Sequence, residues 1–267
     1  MTILDKIIVQ KRLEIARQQE AVSLEKLQSL ECMSRHAVSF QEALLASDTG
    51  IIAEFKRKSP SKGWIHPGAD PETVVPLYEQ GGATACSVLT DHPFFGGSLG
   101  DLHRVRPLVN LPLLRKDFII DAYQLYQAKA VGADFVLLIA AALSAPLVEE
   151  FAGIAHTLGL EVLLEIHTEE ELECLCPAVD VVGVNNRNLK TFVTDVNTSF
   201  ELGEKIPPSF VKISESGISS PGTVRSLRQA GFRGFLMGEN FMKEAEPGKA
   251  LAAFIQALKE PGQPTAV

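Results

Sequence analysis

Hydrophobic residues near the start of the chain recur at helical spacing. Ile3, Leu4, Ile7, Ile8 and Ile15, with Lys11 in the same series, are separated by charged positions, which predicts an amphipathic helix over Ile3–Ala16. Ser23–Leu30 and Ser39–Leu45 read as further short helices, and no strand pattern precedes Ile51. From there the rhythm changes. Short apolar runs rich in β-branched residues start near Ile51, Thr84, Pro112, Asp134, Glu161, Val181, Phe210 and Gly234. Helical segments lie between and after them: Pro71–Gln80, Leu99–Val109, Ala122–Ala130, Ala145–Leu158, Glu169–Leu175, Asn197–Glu204, Pro221–Ala230 and Lys249–Leu258. Strand–helix alternation of this kind predicts a parallel sheet with helical crossovers. Eight units whose strands are apolar on both faces favour closure into an α/β fold of the (β/α)8 TIM-barrel type. The expected division is a helical extension over 1–46 and a barrel over 47–267. An open doubly wound sheet is the alternative, but no G-x-G-x-x-G follows the first strand.

In a barrel, function collects at the carboxyl ends of the strands, so the residues that terminate each run are the candidates. The stretch Ile51–Gly63, IIAEFKRKSPSKG, alternates Ile51, Ala53 and Phe55 with Ile52, Glu54 and Lys56. It then enters the turn-rich basic loop Ser59–Gly63. A carboxylate and an ammonium on one face of an apolar strand are costly to desolvate. The third run ends in Arg115, Lys116 and Asp117, and strand parity leaves either Arg115 or Lys116 inward. Glu165 closes the fifth run, Asn185-Asn186-Arg187 the sixth, Ser214-Glu215-Ser216-Gly217 the seventh and Gly238-Glu239-Asn240 the eighth. Singly, each has an ordinary reading: Glu165 as a helix cap, Asn185 as a turn residue, Gly217 and Gly238 as turn glycines. Together they would need five unrelated accidents at one rim. Loops after strands seven and eight also form the phosphate site of many barrels, where glycines let the backbone approach an anion.

Composition narrows the partners. The 267 residues carry a formal charge of −8, which argues against nucleic acid, although Lys56–Lys62 is locally basic. Cys32, Cys86, Cys174 and Cys176 show no disulfide framework, and the lone C-x-C has no second pair or nearby histidine to make a zinc site. No apolar run reaches membrane-spanning length and no signal peptide is evident, so a cytoplasmic protein without a membrane partner is expected.

Six stretches at the matching strand ends carry a resemblance that covers essentially the whole chain. They are AEFKRKSPSKG (Ala53–Gly63), LRKDFIID (Leu114–Asp121), LLEIHTEEEL (Leu163–Leu172), VGVNNRNLKTF (Val182–Phe192), SESGI (Ser214–Ile218) and FLMGENFM (Phe235–Met242). With the N-terminal Ile3–Ile7 helix, they make the chain resemble the indole-3-glycerol phosphate synthase family of tryptophan biosynthesis. The resemblance implies a phosphorylated small-molecule substrate, 1-(2-carboxyphenylamino)-1-deoxyribulose 5-phosphate. Its ring closes and loses CO2 and water to give indole-3-glycerol phosphate. It implies Lys116 as the acid at the ketone oxygen, Glu165 as the base, and Glu54 with Lys56 as a supporting pair. Asn185, Arg187 and Glu215 would bind and orient the substrate, and Phe94 or Phe95 with Phe118 would sandwich its anilino ring. Ser59, Ser216, Gly217, Gly238 and Asn240 would cradle the phosphate, with Lys56 as countercharge. The extension over 1–46 would help to cover the pocket. No metal or cofactor is implied, and a monomer is expected, with association with other tryptophan-pathway enzymes left open. Burial beside Lys56 would lower the pKa of Lys116, and neighbouring glutamates would oppose this. Rival readings are another phosphate barrel such as phosphoribosylanthranilate isomerase, a Schiff-base aldolase using Lys116, and an inactive barrel serving as a scaffold.

Overall fold

The eight β-branched runs form parallel strands of four to six residues, buried on both sides: β1 (Ile51–Phe55), β2 (Ala85–Leu89), β3 (Leu113–Lys116), β4 (Phe135–Ile139), β5 (Glu161–Ile166), β6 (Val181–Asn185), β7 (Val211–Glu215) and β8 (Gly234–Met237). In the computed structural model, which describes residues 2–189 and 191–260, each strand pairs with the next and β8 returns to β1, opposite Ile51–Ala53. The result is the expected closed (β/α)8 barrel. Lys190, within the Val182–Phe192 stretch, and 261–267, within the expected 47–267 unit, lie outside the described residues.

Strand parity separates two cores. Ile51, Ala53 and Phe55 pack outward against the crossover helices, while Ile52 joins Leu114, Leu137, Leu163, Ile213 and Leu236 inside the barrel. Glu54 shares Ile52's inward face, and this puts a carboxylate at the top of the packed interior.

The extension forms α1 (Ile3–Ala21), α2 (Leu24–Gln28) and α3 (Phe40–Ala46). Thr2 and Asp5 close a reciprocal capping box that starts α1. The extension reaches both ends of the barrel. Phe40 stacks on Phe135, the first residue of β4, with ring centroids 3.9 Å apart, and Leu44 joins the same inner cluster. Polar contacts follow at the same end: Ser39 donates to Glu161 at 2.5 Å, and Arg35 pairs with buried Asp134 at 2.8 Å. At the opposite end, Ile3, Leu4 and Ile7 of α1 face the cavity described below.

Three local expectations differ. The segment expected as a helix over Glu169–Leu175 is a 3₁₀ turn, Glu170–Cys174. Three glutamates crowd that turn and Pro177 follows closely, so no second helical turn can form. The loop Ser59–Gly63 is bracketed by a small antiparallel pair, Lys58–Ser59 with Gly63–Trp64. A four-residue helix, His92–Phe95, capped by Asp91, is too short to leave a periodic signal.

Candidate active site

Inward parity at the strand ends converges on a cavity of about 560 Å³ at the carboxyl end of the barrel. Its floor is apolar (Leu137, Ile139, Leu236) and its polar groups come from five different strands. β3 turns Lys116 into it. Arg115 faces the other way and is buried against Thr90, Asp117 and the carbonyl of Gln124, so the parity question resolves in favour of Lys116.

The Lys116 ammonium sits between two carboxylates, donating to Glu165 Oε2 at 2.9 Å and Glu215 Oε2 at 2.8 Å. Lys56 pairs with Glu54 at 2.7 Å on β1. Burial alone would push Lys116 down, but Glu165, Glu215 and Glu54 outweigh it and hold its pKa above the usual lysine range. Of the two opposing effects considered from the sequence, the glutamates therefore prevail. The two glutamates respond differently to one lysine. Burial pushes Glu165 up, but Lys116, His167 and an Asn185 hydrogen bond bring it to about 2. Burial pushes Glu215 up, and repulsion from Glu165 and Glu54 helps to keep it at about 7 despite Lys116.

The remaining candidates are distributed around this triad. Asn185 lines the cavity, and its Oδ1 accepts from the Arg187 backbone at 3.0 Å. Arg187 also lines it, loosely held by Thr194 and Ser61 at 3.4 Å each. Phe95 and Phe118 line it with ring centroids 6.0 Å apart, whereas Phe94 does not. That separation leaves no room for a third ring between them, because stacking on both faces needs about 7 Å. They form one aromatic wall instead of the expected sandwich.

Ser216, Gly217, Gly238 and Asn240 line the far side. Ser216 and Gly217 have φ of 67° and 74°, a sharp left-handed turn in which a serine is strained. Ser59 is not on the cavity wall. Its hydroxyl accepts from the Lys62 backbone at 3.2 Å and so shapes the loop whose Pro60, Ser61 and Lys62 do face the cavity.

Sequence reasoning passed over His167 and Gly183, and gave Gly238 only a phosphate role. His167 lies behind Glu165, with Nε2 3.4 Å from Glu165 Oε1 and Nδ1 3.4 Å from Glu171 Oε2. Its position two residues after Glu165, just past the end of β5, was the available signal. Gly183 and Gly238 are spacers: a Cβ at either would meet Glu215 Oε1 or Glu54 Oε1 at 2.4 Å. Nothing in the sequence marks either as a spacer.

A model of the family described as indole-3-glycerol phosphate synthase matches residues 4–254. The chain belongs to the indole-3-glycerol phosphate synthase family. It is 56% identical to the indole-3-glycerol phosphate synthase of Bacteroides thetaiotaomicron, over 96% of this chain and 99% of that one. It is 44% identical to that of Burkholderia ambifaria, over 94% and 97%. Among solved structures it resembles a tryptophan synthase alpha-subunit from Pyrococcus furiosus, with a TM-score of 0.59 at 17% identity, over 79% of this chain and 98% of that one. That likeness concerns the TIM-barrel fold alone. For a family member, the phosphorylated substrate inferred from the strand-end motifs fits a cavity with lysines at its centre and glycine turns at its edge. No helix among the described residues is long and apolar enough to cross a membrane.

Proposed function

We propose that this chain closes the ring of 1-(2-carboxyphenylamino)-1-deoxyribulose 5-phosphate and releases CO2 and water to give indole-3-glycerol phosphate. The observation that carries the reading is the Lys116 ammonium gripped by Glu165 and Glu215 inside a cavity edged by the Ser216-Gly217 and Gly238 turns. Lys116 is fully protonated at neutral pH and donates to the ketone oxygen as the ring carbon attacks. Glu165, ionised, takes the proton from the carbon next to the nitrogen, while the departing hydroxyl takes one from Lys56 and leaves as water. Glu54 holds the Lys56 ammonium in place, and Lys56 also balances the substrate's anionic groups. Asn185 and Arg187 orient the substrate, with Arg187 beside the carboxylate that departs, and Glu215 binds it as Lys116 is released. The aromatic ring rests on the Phe95–Phe118 wall. Ser216, Gly217, Gly238 and Asn240 hold the phosphate, with Ser59 supporting the loop opposite. The extension over 1–46 covers the mouth through α1, which places Ile3, Leu4 and Ile7 at the cavity.

The working unit is proposed to be a monomer, acting in the cytoplasm without nucleic acid or membrane. Size-exclusion chromatography, alone and with other enzymes of the tryptophan pathway, tests this. A Schiff-base role for Lys116 is disfavoured, because a free amine is needed and two carboxylates keep the proton on.

The test is a fluorescence assay for indole-3-glycerol phosphate formation in the presence of a chelator, with Lys116→Ala as control. Turnover should fall by at least about 10²-fold in the variant. Absence of product from folded wild-type protein, or borohydride trapping of substrate on Lys116, would sink the proposal.

A further inference from the structure

Helix α1 buries three side chains at four-residue spacing, Ile7, Lys11 and Ile15, and the middle one is a lysine only 1% exposed. Its ammonium lies 2.9 Å from Glu14, 3.0 Å from Asp91 Oδ2 and 2.9 Å from Asp117 Oδ1. Asp91 and Asp117 are equally buried, and without the ammonium Asp91 would have no cation partner among the described residues while Asp117 kept only Arg115. Lys11 does not reach the cavity, and the proposed chemistry makes no use of it.

The two aspartates have further duties. Asp91 Oδ1 accepts from the Phe94 backbone at 2.9 Å and caps the short helix that ends in Phe95. Asp117 Oδ1 accepts from the Phe118 backbone at 2.8 Å, while its Oδ2 takes Thr90 at 2.6 Å and Arg115 at 3.1 Å. One ammonium therefore joins the roots of both aromatic wall residues. It sits one helical turn beyond Ile7, which with Ile3 and Leu4 supplies the apolar residues of α1 at the cavity. Among the described residues, no hydrogen bond or ion pair joins this cluster to the phosphate-type turns after β7 and β8.

We infer that Lys11 is a positioning residue that sets the apolar half of the cavity, and so selects the aromatic ring of the substrate independently of its phosphate. The inference rests on the substrate reading above. Replacing the ammonium by an apolar chain leaves buried Asp91 unpaired beside Asp117, whose charge Arg115 offsets from its other oxygen, and this drives the loops after β2 and β3 apart. The Phe95–Phe118 wall and the first turns of α1 then lose their common anchor. The catalytic lysine is held separately, by Glu165 and Glu215 across the barrel.

The experiment compares wild type, Lys11→Met and Asp91→Asn. Competitive binding constants are measured for 2-aminobenzoate, as the ring fragment, and for inorganic phosphate, alongside KM and kcat for the full substrate. In Lys11→Met, KM and the 2-aminobenzoate constant should rise about tenfold, with the phosphate constant unchanged and kcat within about threefold. Asp91→Asn keeps a competent cap and leaves Asp117 to Lys11, so the same split should appear at about threefold. It remains informative if Lys11→Met does not fold. An unchanged 2-aminobenzoate constant in a folded variant overturns the inference. So does a parallel rise in the phosphate constant, the mark of a merely structural role. Fragment binding is read without turnover, so an inactive wild type would remove the proposed reaction without deciding the role of Lys11.

Discussion

One lysine shared by two glutamates cannot satisfy both equally. Glu165 takes the larger part because His167 and Asn185 also support its anion, while Glu215 has Glu165 and Glu54 as anionic neighbours. The folded pKa of Glu215, about 7, lies above its unfolded value of 4.5, so the folded state binds the extra proton between them. This contribution to stability is present at low pH and is lost as pH rises through about 7. The Tm of Glu215→Gln should therefore decline less than that of wild type between pH 5 and pH 8, as differential scanning calorimetry would show. His167 offers a second test. Burial pushes its pKa down, but Glu171 and Glu165 push it further up, which favours the charged form behind the base. In His167→Asn the acid limb of the kcat/KM profile should move towards neutral pH, since Glu165 loses a stabilising neighbour. An unmoved limb would leave His167 with only a packing role.

At the scale of elements, strand parity decides what each residue can do. The pattern of Ile51–Lys56 assigned Glu54 and Lys56 to one face, and that face is the inner one. For β3 the same rule left Arg115 and Lys116 open, because charges flanked the strand end without an alternating partner. Their fates depend on Gln124 and Asp117 outside the strand and on Glu165 and Glu215 across the barrel. Spacer glycines were illegible for a related reason: what a Cβ would strike belongs to another strand. Gly183→Ala places a Cβ 2.4 Å from Glu215 Oε1 and 3.2 Å from Leu163, so Glu215 must move. Activity should drop by about 10–100-fold with the circular dichroism spectrum retained. Unchanged kcat/KM would show that Glu215 has slack.

Across the whole molecule, the extension ties both ends of the barrel. At the amino end of the strands, buried Asp134 accepts from the backbones of Val38 and Leu113 and pairs with Arg35 and Arg106. The packing of α3 beneath the strands thus depends on one carboxylate as well as on Phe40 and Leu44. Asp134→Ala should cost about 3–5 kcal/mol. Thermal unfolding should then fall by about 6–20 °C. A change of a degree or two would mean that apolar packing alone holds α3 in place.

Local repetition set out the strands, nearly all the helices and the rim of ionisable groups, and favoured barrel closure over an open sheet, because side-chain period and strand length are properties of neighbouring residues. The chain also showed Lys11 in the buried series of α1, though not what it meets. Only the tertiary structure decided which rim groups act together. Lys116 finds its carboxylates 49 and 99 residues away, and Lys11 joins α1 to the ends of β2 and β3. Such pairings depend on closure of the barrel, and so do the charges they set, since a pKa answers to burial and to whatever ions folding brings within a few ångströms.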